Sequence, residues 1–145
     1  MTKLFLIVVA FVVTTLSANE VHWAKDFQSG VATAQKEHKP ILFIFSSTQC
    51  KYCVLLEENA LSDAKVINSL NKDYVAIISY VDKGDYVPRE LWRPGTPTIW
   101  FLDPNGEPMY AIDRNFPLVG AIDKKIFVQI LAVVKQDFDK KNKGK

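Results

Sequence analysis

Cysteine is scarce in this chain, which has only two among 145 residues. Two cysteines are too few for a disulfide-rich scaffold and too few for a zinc site with four thiolate ligands. A composition of 48% hydrophobic and 23% charged residues is that of an ordinary globular protein. At this length the chain supports one compact domain with a hydrophobic core and leaves little room for a second.

The sequence also lacks an excess of charge of one sign. It has 18 Lys and Arg residues against 16 Asp and Glu residues, so its formal net charge is +2, and the basic residues are scattered. Nucleic-acid-binding proteins usually concentrate basic residues in a patch or stripe. We therefore expect no nucleic-acid partner.

The first 18 residues differ from the rest of the chain. Lys3 precedes an apolar run over residues 4–13, and small residues end the segment. This arrangement is typical of a secretory signal peptide, and the apolar run is shorter than the roughly 20 residues that a membrane-spanning helix needs. We predict a signal peptide over 1–18 and one domain over 19–145 in an exported protein. An uncleaved membrane anchor and a buried N-terminal element are the alternatives.

Apolar residues along the remaining chain recur at spacings typical of helices and buried strands. The predicted order is helix 24–38, strand 41–45, helix 50–71 with a bend at 61–63 where Ser62 would cap a new segment, strand 74–81, a turn-rich connection 82–95, strand 98–102, hairpin strand 107–112 and helix 118–138. Alternating helices and strands predict parallel pairing with helices on both faces, and the hairpin adds an antiparallel edge. The predicted fold class is therefore α/β, with a central mixed sheet flanked by helices.

The most informative motif is Cys50-Lys51-Tyr52-Cys53, which lies between a predicted strand and a predicted helix. Unpaired N–H groups and the dipole at a helix N-terminus stabilise a thiolate, and Lys51 adds a nearby cation. Two intervening residues place the second thiol one turn along the helix, near enough to close a disulfide. The motif therefore predicts that Cys50 attacks the disulfide of a partner and that Cys53 resolves the mixed disulfide. The same steps in reverse would oxidise a partner dithiol.

Three other roles for the cysteine pair stay open at this point. A structural disulfide is one, although so small a loop constrains the unfolded chain little. Half of a zinc site is the second, with His22 and His38 as the remaining ligands, although their spacing fits none of the usual patterns. The third is an unreactive pair within a binding module.

A second motif, Gly95-Thr96-Pro97-Thr98, opens the strand predicted at 98–102. Proline is tolerated at the start of a strand because its missing N–H need not join the ladder. In their order and spacing, the apolar strand, the C-x-x-C helix, this motif and the final helix resemble the thioredoxin-like superfamily over roughly residues 21–140. The stretch 39–53 is similar to exported bacterial members, including the C-terminal periplasmic domain of DsbD-type reductases.

The resemblance implies a role for each motif residue. Cys50 would be the nucleophile and Cys53 the resolving thiol, with no cofactor beyond their own disulfide. Pro97 would be a cis-proline beside that disulfide, and the backbone of Thr96 would pair with the partner chain by strand addition. Glu57, one helical turn past Cys53, stands where the DsbD-type domain carries a glutamate and would accept the proton of the resolving thiol.

Three departures from the thioredoxin pattern accompany the resemblance. Gln49 stands where thioredoxins usually have tryptophan, and Ile44 stands where many have a buried aspartate. Without that aspartate, we expect either slower turnover or a larger role for Glu57 as a proton acceptor. The alternative for Glu57 is a solvated acid beside Glu58. The Lys-Tyr dipeptide between the cysteines matches neither the Gly-Pro of efficient reductants nor the Pro-His of strong oxidants.

The expected partners are protein thiols or disulfides in an exported, periplasmic setting, with a membrane thiol reductase as a candidate. Tyr52 and Trp92 are the aromatic residues that we expect to be exposed beside a partner groove. We expect a monomer that acts as a reductant. The rival hypothesis is a non-catalytic binding module that uses the groove around Tyr52, Thr96 and Trp92.

Overall fold

A mixed β-sheet lies at the centre of the fold in the computed structural model, which describes residues 20–109 and 117–143. Within these residues the sheet has four strands in the order β2-β1-β3-β4. The strands are β1 (Ile41–Ser46), β2 (Val75–Tyr80), β3 (Thr98–Leu102) and β4 (Leu118–Val119). All six side chains of β1 are buried, as expected for a strand that is covered on both faces. The predicted signal peptide and its alternatives lie outside the described residues.

The pairing of the strands is partly as the sequence predicts. β1 and β2 are parallel, but β3 pairs antiparallel with β1, and β4 pairs antiparallel with β3. A parallel β3 would need a crossover element, usually a helix, to return the chain to the other edge of the sheet. The connection from β2 to β3 holds only two 3₁₀ turns, Val81–Lys83 and Arg89–Leu91. β3 therefore begins at the end of the sheet where β2 finishes, and it runs antiparallel to β1 and β2.

Helices cover both faces of the sheet. They are α1 (Phe27–Glu37), α2 (Lys51–Leu55), which continues as a π-helical turn (Leu56–Ala60), α3 (Ala64–Asp73) and α4 (Lys124–Asn142). On one face, α1 packs over alternate residues of β1, including Ile41 and Phe43. On the other face, the π-helical turn, α3 and α4 pack over Leu42 and Ile44. Among the described residues, no helix is long and apolar enough to span a membrane.

Helix starts and ends follow local capping groups. The predicted bend at 61–63 is present, but Asp63 rather than Ser62 caps α3, because its carboxylate accepts the N–H groups of Lys65 and Val66. The hydroxyl of Ser62 instead donates back to the carbonyl of Glu58.

The last helix starts later than predicted. Leu118 and Val119 form β4, and the backbone at Gly120 has a φ of 91°, which ends the strand. Asp123 then caps α4 by accepting the N–H groups of the first turn. Apolar spacing alone does not separate these residues from the helix, because Leu118 packs against the same core as α4.

The predicted turn after β3 is present. The Asp103 carboxylate accepts the N–H groups of Asn105 and Glu107 at 2.8 and 3.0 Å. Within the described residues, the predicted hairpin strand is reduced to a bridge between Pro108 and Leu102 and two hydrogen bonds, in which Glu107 accepts the N–H of Asp103 and Met109 donates its N–H to Phe101. The rest of that predicted strand lies outside them.

Replacing Asp63 by alanine should lower the midpoint of thermal unfolding at neutral pH, whereas Ser62→Ala should change it little. Burial acts to raise the pKa of Asp63, but N–H donation from Lys65 and Val66 outweighs it and lowers the pKa below 3.8. The stabilisation is therefore present above the unfolded pKa and is lost as the pH falls through the lower folded value. Thermal melts across this pH range should show the two curves converging in acid. An effect of Ser62→Ala as large as that of Asp63→Ala would contradict the cap assignment.

Candidate redox site

Cys50 occupies the N-cap position of α2, directly after the loop that leaves β1. Its backbone is extended, with φ −93° and ψ 121°, and its sulfur accepts the N–H of Cys53 at 3.3 Å. The Cys50 carbonyl accepts the N–H groups of Cys53 and Val54 at 3.1 Å each. The Cys53 N–H is thus shared between the carbonyl and the sulfur of Cys50, and together with the dipole at the helix start it stabilises negative charge on the sulfur.

The two thiols differ in burial, and they are not joined by a disulfide in this structure. Cys50 is partly exposed, whereas Cys53 is 0% exposed. Burial alone would raise the pKa of Cys50, but donation from the side chains of Cys53 and Thr96 and from backbone N–H groups outweighs it and lowers that pKa. Burial raises the pKa of Cys53, and its hydrogen bond to Cys50 raises it further. Cys50 is therefore the thiol that ionises and Cys53 the one that keeps its proton.

The loop before β3 lies against Cys50. The Cys50 thiol donates to the carbonyl of Thr96 at 3.2 Å, although the two residues are 46 positions apart in the chain. The Thr96–Pro97 peptide bond is cis, the conformation that the resemblance implies, and Pro97 is buried. The carbonyl of Pro97 accepts the N–H of Gly120 at 2.9 Å, which joins this loop to the end of β4.

Glu57 lies on the π-helical turn and is half-buried. Its Oε1 accepts the phenol of Tyr80 at 3.2 Å and lies 3.5 Å from the hydroxyl of Ser46. These contacts direct the carboxylate towards the ends of β1 and β2, unlike a solvated acid. Burial raises the pKa of Tyr80 to about 12, and the negative charge of Glu57 adds to the effect.

Asp82 supports the loop that carries Cys50. The Thr48 N–H donates to one oxygen of the Asp82 carboxylate at 3.0 Å, and the Thr48 hydroxyl donates to the other. Donation from the Thr48 side chain lowers the pKa of Asp82. The loop between β1 and α2 is thus tied to the end of β2 as well as to its own strand.

Ser46, Tyr80 and Asp82 are not among the site residues that the sequence predicts. Their common signal is position, because each lies at or just after the carboxyl end of β1 or β2. Carboxyl ends of neighbouring parallel strands meet at one edge of a sheet, so polar residues there come together.

The two predicted groove aromatics are exposed, Tyr52 by 59% and Trp92 by 54%. Tyr52 lies between the cysteines on α2, and Trp92 directly follows the second 3₁₀ turn. In the part of the chain that the structure describes, no hydrogen bond or aromatic contact joins Trp92 to the cysteine motif. The structure therefore places Tyr52 at the site and gives no such contact for Trp92.

Metal-ligating side chains of the described residues do not gather around the cysteines. Over residues 20–109 and 117–143, no group of three or more His, Cys, Asp or Glu side chains is arranged to hold a metal ion. His22 is exposed before α1 and donates its N–H to Asn71, and His38 is exposed at the end of α1. The described residues therefore do not supply the ligands that the zinc alternative requires.

A family model described as a thioredoxin-like domain matches residues 27–135, which include the cysteine motif and the cis-proline loop. The chain belongs to the thioredoxin-like domain family. The resemblance inferred from the order and spacing of the sequence motifs is thereby confirmed, and so is the predicted α/β fold class.

Known proteins resemble this thioredoxin-like chain at moderate identity. Anterior gradient protein 1 of Xenopus tropicalis is 25% identical over 115 residues, which cover 66% of this chain and 57% of that protein. A solution structure of a thioredoxin from Thermus thermophilus has a TM-score of 0.63 at 26% identity, over 79% of this chain and 87% of that one. The oxidised DsbD C-terminal domain of Neisseria meningitidis has a TM-score of 0.53 at 20% identity, over 72% and 90%. The chain spans little more than half the length of the anterior gradient proteins that it matches.

Iodoacetamide should label Cys50 well before Cys53 in the reduced protein, because Cys50 is more exposed and has the lower pKa. Mass spectrometry of peptides after brief exposure at neutral pH measures the two extents of labelling. In Cys50→Ser, where Cys53 is the remaining cysteine, labelling should slow by at least about tenfold. Equal labelling of both thiols in the unchanged protein would contradict the assignment.

Proposed function

We propose that this protein is an exported thiol–disulfide oxidoreductase that reduces disulfides in partner proteins. The observation that carries the proposal is the unequal pair at the start of α2. Cys50 is partly exposed with a lowered pKa, and Cys53 is fully buried with a raised pKa. Such a pair provides one thiol for attack on a partner and one for release of that partner.

The reaction has two steps. In the first, the Cys50 thiolate attacks one sulfur of the partner disulfide, which forms a mixed disulfide and expels the other partner sulfur as a thiolate. In the second, Cys53 loses its proton and attacks Cys50 Sγ, which expels the remaining partner sulfur. Two electrons pass to the partner, the expelled thiolates take up two protons, and the cysteine pair becomes a disulfide.

Glu57 is the proposed acceptor of the Cys53 proton. It lies one helical turn past Cys53, and its carboxylate contacts side chains at the ends of β1 and β2. A half-buried carboxylate near a buried thiol is suited to general-base catalysis. Ile44, in the strand, is 0% exposed and has no proton-accepting group.

The partner chain is proposed to bind beside Thr96 and Pro97. The carbonyl of Thr96 lies 3.2 Å from the reactive sulfur of Cys50, so an extended partner segment that pairs with Thr96 would bring its own disulfide to that sulfur. Tyr52, two residues after Cys50, is exposed on α2 and offers apolar contact area. Backbone pairing of this kind needs little sequence preference in the partner. Trp92 is proposed to contact the partner chain at the outer side of this groove.

The proposed direction of electron flow rests on the resemblance of residues 39–53 to the C-terminal periplasmic domain of DsbD-type reductases. The Lys-Tyr dipeptide between the cysteines also differs from the Pro-His of strong oxidants. Strong oxidants in this chemistry have a reduced form that is stabilised by a very favourable thiolate. We assign the protein a reducing role in the periplasm as a monomer. A membrane thiol reductase would return its Cys50–Cys53 disulfide to the dithiol.

The purified protein should reduce the disulfides of insulin, measured as precipitation of the insulin chains in the presence of dithiothreitol. Cys50→Ser should abolish the increase over dithiothreitol alone, because it removes the attacking thiol. Cys53→Ser should trap partner proteins as mixed disulfides on Cys50 that a reducing agent releases. Equal precipitation with the protein and with Cys50→Ser would contradict catalysis. Partners that bind without a covalent link would favour the non-catalytic binding module.

A further inference from the structure

The buried position of Cys53 raises a question about its proton. Cys53 is 0% exposed, so its thiol cannot transfer a proton directly to solvent when it attacks Cys50. The neighbouring side chains are therefore the first acceptors available. Ser46, at the end of β1, is 1% exposed. Burial raises the pKa of Cys53, and donation from the side chains of Thr96 and Ser46 acts against that effect.

Ser46 also lies next to Glu57. The distance from Ser46 Oγ to Glu57 Oε1 is 3.5 Å, at the outer limit of a hydrogen bond. Catalytic hydrogen bonds are often long in the absence of substrate and shorten in the reacting complex. A hydroxyl can accept a proton from one side while it donates another, so Ser46 has the chemistry to join the Cys53 thiol to the Glu57 carboxylate.

Tyr80 is placed to hold the same carboxylate. Ser46 and Tyr80 are directly opposite each other in the parallel pair of β1 and β2, so both side chains stand on the face covered by α2. The Tyr80 phenol donates to Glu57 Oε1 at 3.2 Å. The backbone N–H of Tyr80 donates to the Asp85 carboxylate at 2.9 Å. The Lys83 ammonium lies 4.4 Å from the centre of the Tyr80 ring.

The face of the sheet beneath Cys53 supplies no other acid in the described residues. Two residues before Ser46 on the same face is Ile44, which is opposite Ile78 on β2. Both are apolar, and Ile44 is 0% exposed. The titratable groups that surround the route are Cys50 on α2, Glu57 on the π-helical turn, and Tyr80, Lys83 and Asp85 at the end of β2.

We propose that Ser46 relays the proton of Cys53 to Glu57 and that Tyr80 is a positioning residue that holds the Glu57 carboxylate at the end of this route. The inference rests on the proposed function and deepens its second step. As Cys53 attacks Cys50 Sγ, its proton moves to the Ser46 oxygen and the Ser46 proton moves to Glu57. The expelled partner thiolate then takes up a proton from solvent, and Glu57 returns its proton to solvent, so charge and protons balance.

The test separates the two steps of disulfide exchange. Reduced protein is mixed with dithiobis(nitrobenzoate), which releases one coloured thiolate when Cys50 attacks and a second when Cys53 resolves the mixed disulfide. The first phase depends on reagent concentration and the second does not. Ser46→Ala and Glu57→Gln should each slow the second phase by at least about tenfold at neutral pH, because each interrupts the proton route. The first phase should change by no more than about twofold, because the thiolate of Cys50 is formed before the reaction begins.

Three further readouts distinguish a relay from a structural role. The double variant Ser46→Ala/Glu57→Gln should be no slower than the slower single variant, because both changes break one route. The second-phase rate in Glu57→Gln should rise steeply with pH as hydroxide replaces the internal base, whereas the profile of the unchanged protein should be flatter. Tyr80→Phe should slow the second phase less than Glu57→Gln and keep the flatter profile.

Matched controls exist on the neighbouring strand and loop. Ser79→Ala removes a buried serine hydroxyl of β2 that donates to the carbonyl of Tyr86, and Tyr86→Phe removes an exposed phenol. Neither should alter the second phase. Circular dichroism will show whether Ser46→Ala folds normally. Ser46→Thr keeps a hydroxyl and should retain most of the second-phase rate, so it tests the relay even if Ser46→Ala folds poorly.

A second phase in Ser46→Ala equal to that of the unchanged protein would overturn the relay, as would rate losses that multiply in the double variant. A Tyr80→Phe rate equal to that of the unchanged protein would overturn the role of Tyr80. The failure of the proposed function is a different result: the unchanged protein would then fail to reduce insulin or would show no second phase at all.

Discussion

The unequal environment of two thiols in one helical turn is the constraint on which this site depends. Cys50 stands at the N-cap, where backbone N–H donation and the Cys53 thiol favour its ionised form. Cys53 is enclosed by the core, where the loss of solvent favours its neutral form. The start of a single short helix therefore carries both a nucleophile and a resolving thiol. This arrangement requires the sheet and loops to hold the first turn of the helix in place.

The parallel pair β1–β2 provides that support. Because the two strands end at the same edge of the sheet, Ser46, Tyr80 and Asp82 all lie near the start of α2. They have different contacts: Asp82 binds the Cys50 loop through Thr48, whereas Ser46 and Tyr80 contact Glu57. The loop before β3 contacts Cys50 itself, because the carbonyl of Thr96 accepts the Cys50 thiol. Segments that are distant in the chain therefore support the start of α2 and the reactive sulfur.

Much of the fold follows from local patterns in the sequence. Strand 98–102 and the cysteine motif at a helix start are found where the patterns predict them, because burial periodicity and capping act over a few residues. Leu118 was wrongly assigned to the last helix, since its apolar character serves β4 and helix packing equally. The contacts of Glu57 with Ser46 and Tyr80 depend on strand register and on the π-helical turn, and neither has a signal in the local spacing of residue types.

Titration of the cysteine pair in glutathione buffers of graded redox ratio tests the central claim most directly. The fraction of disulfide is read by mass spectrometry after acid quenching and alkylation. The account predicts one reversible two-electron transition, approached equally from the reduced and the oxidised protein, with the disulfide already formed in buffers dominated by reduced glutathione. Thiols that stay reduced at every ratio, or a disulfide that excess dithiothreitol does not reopen, would contradict it.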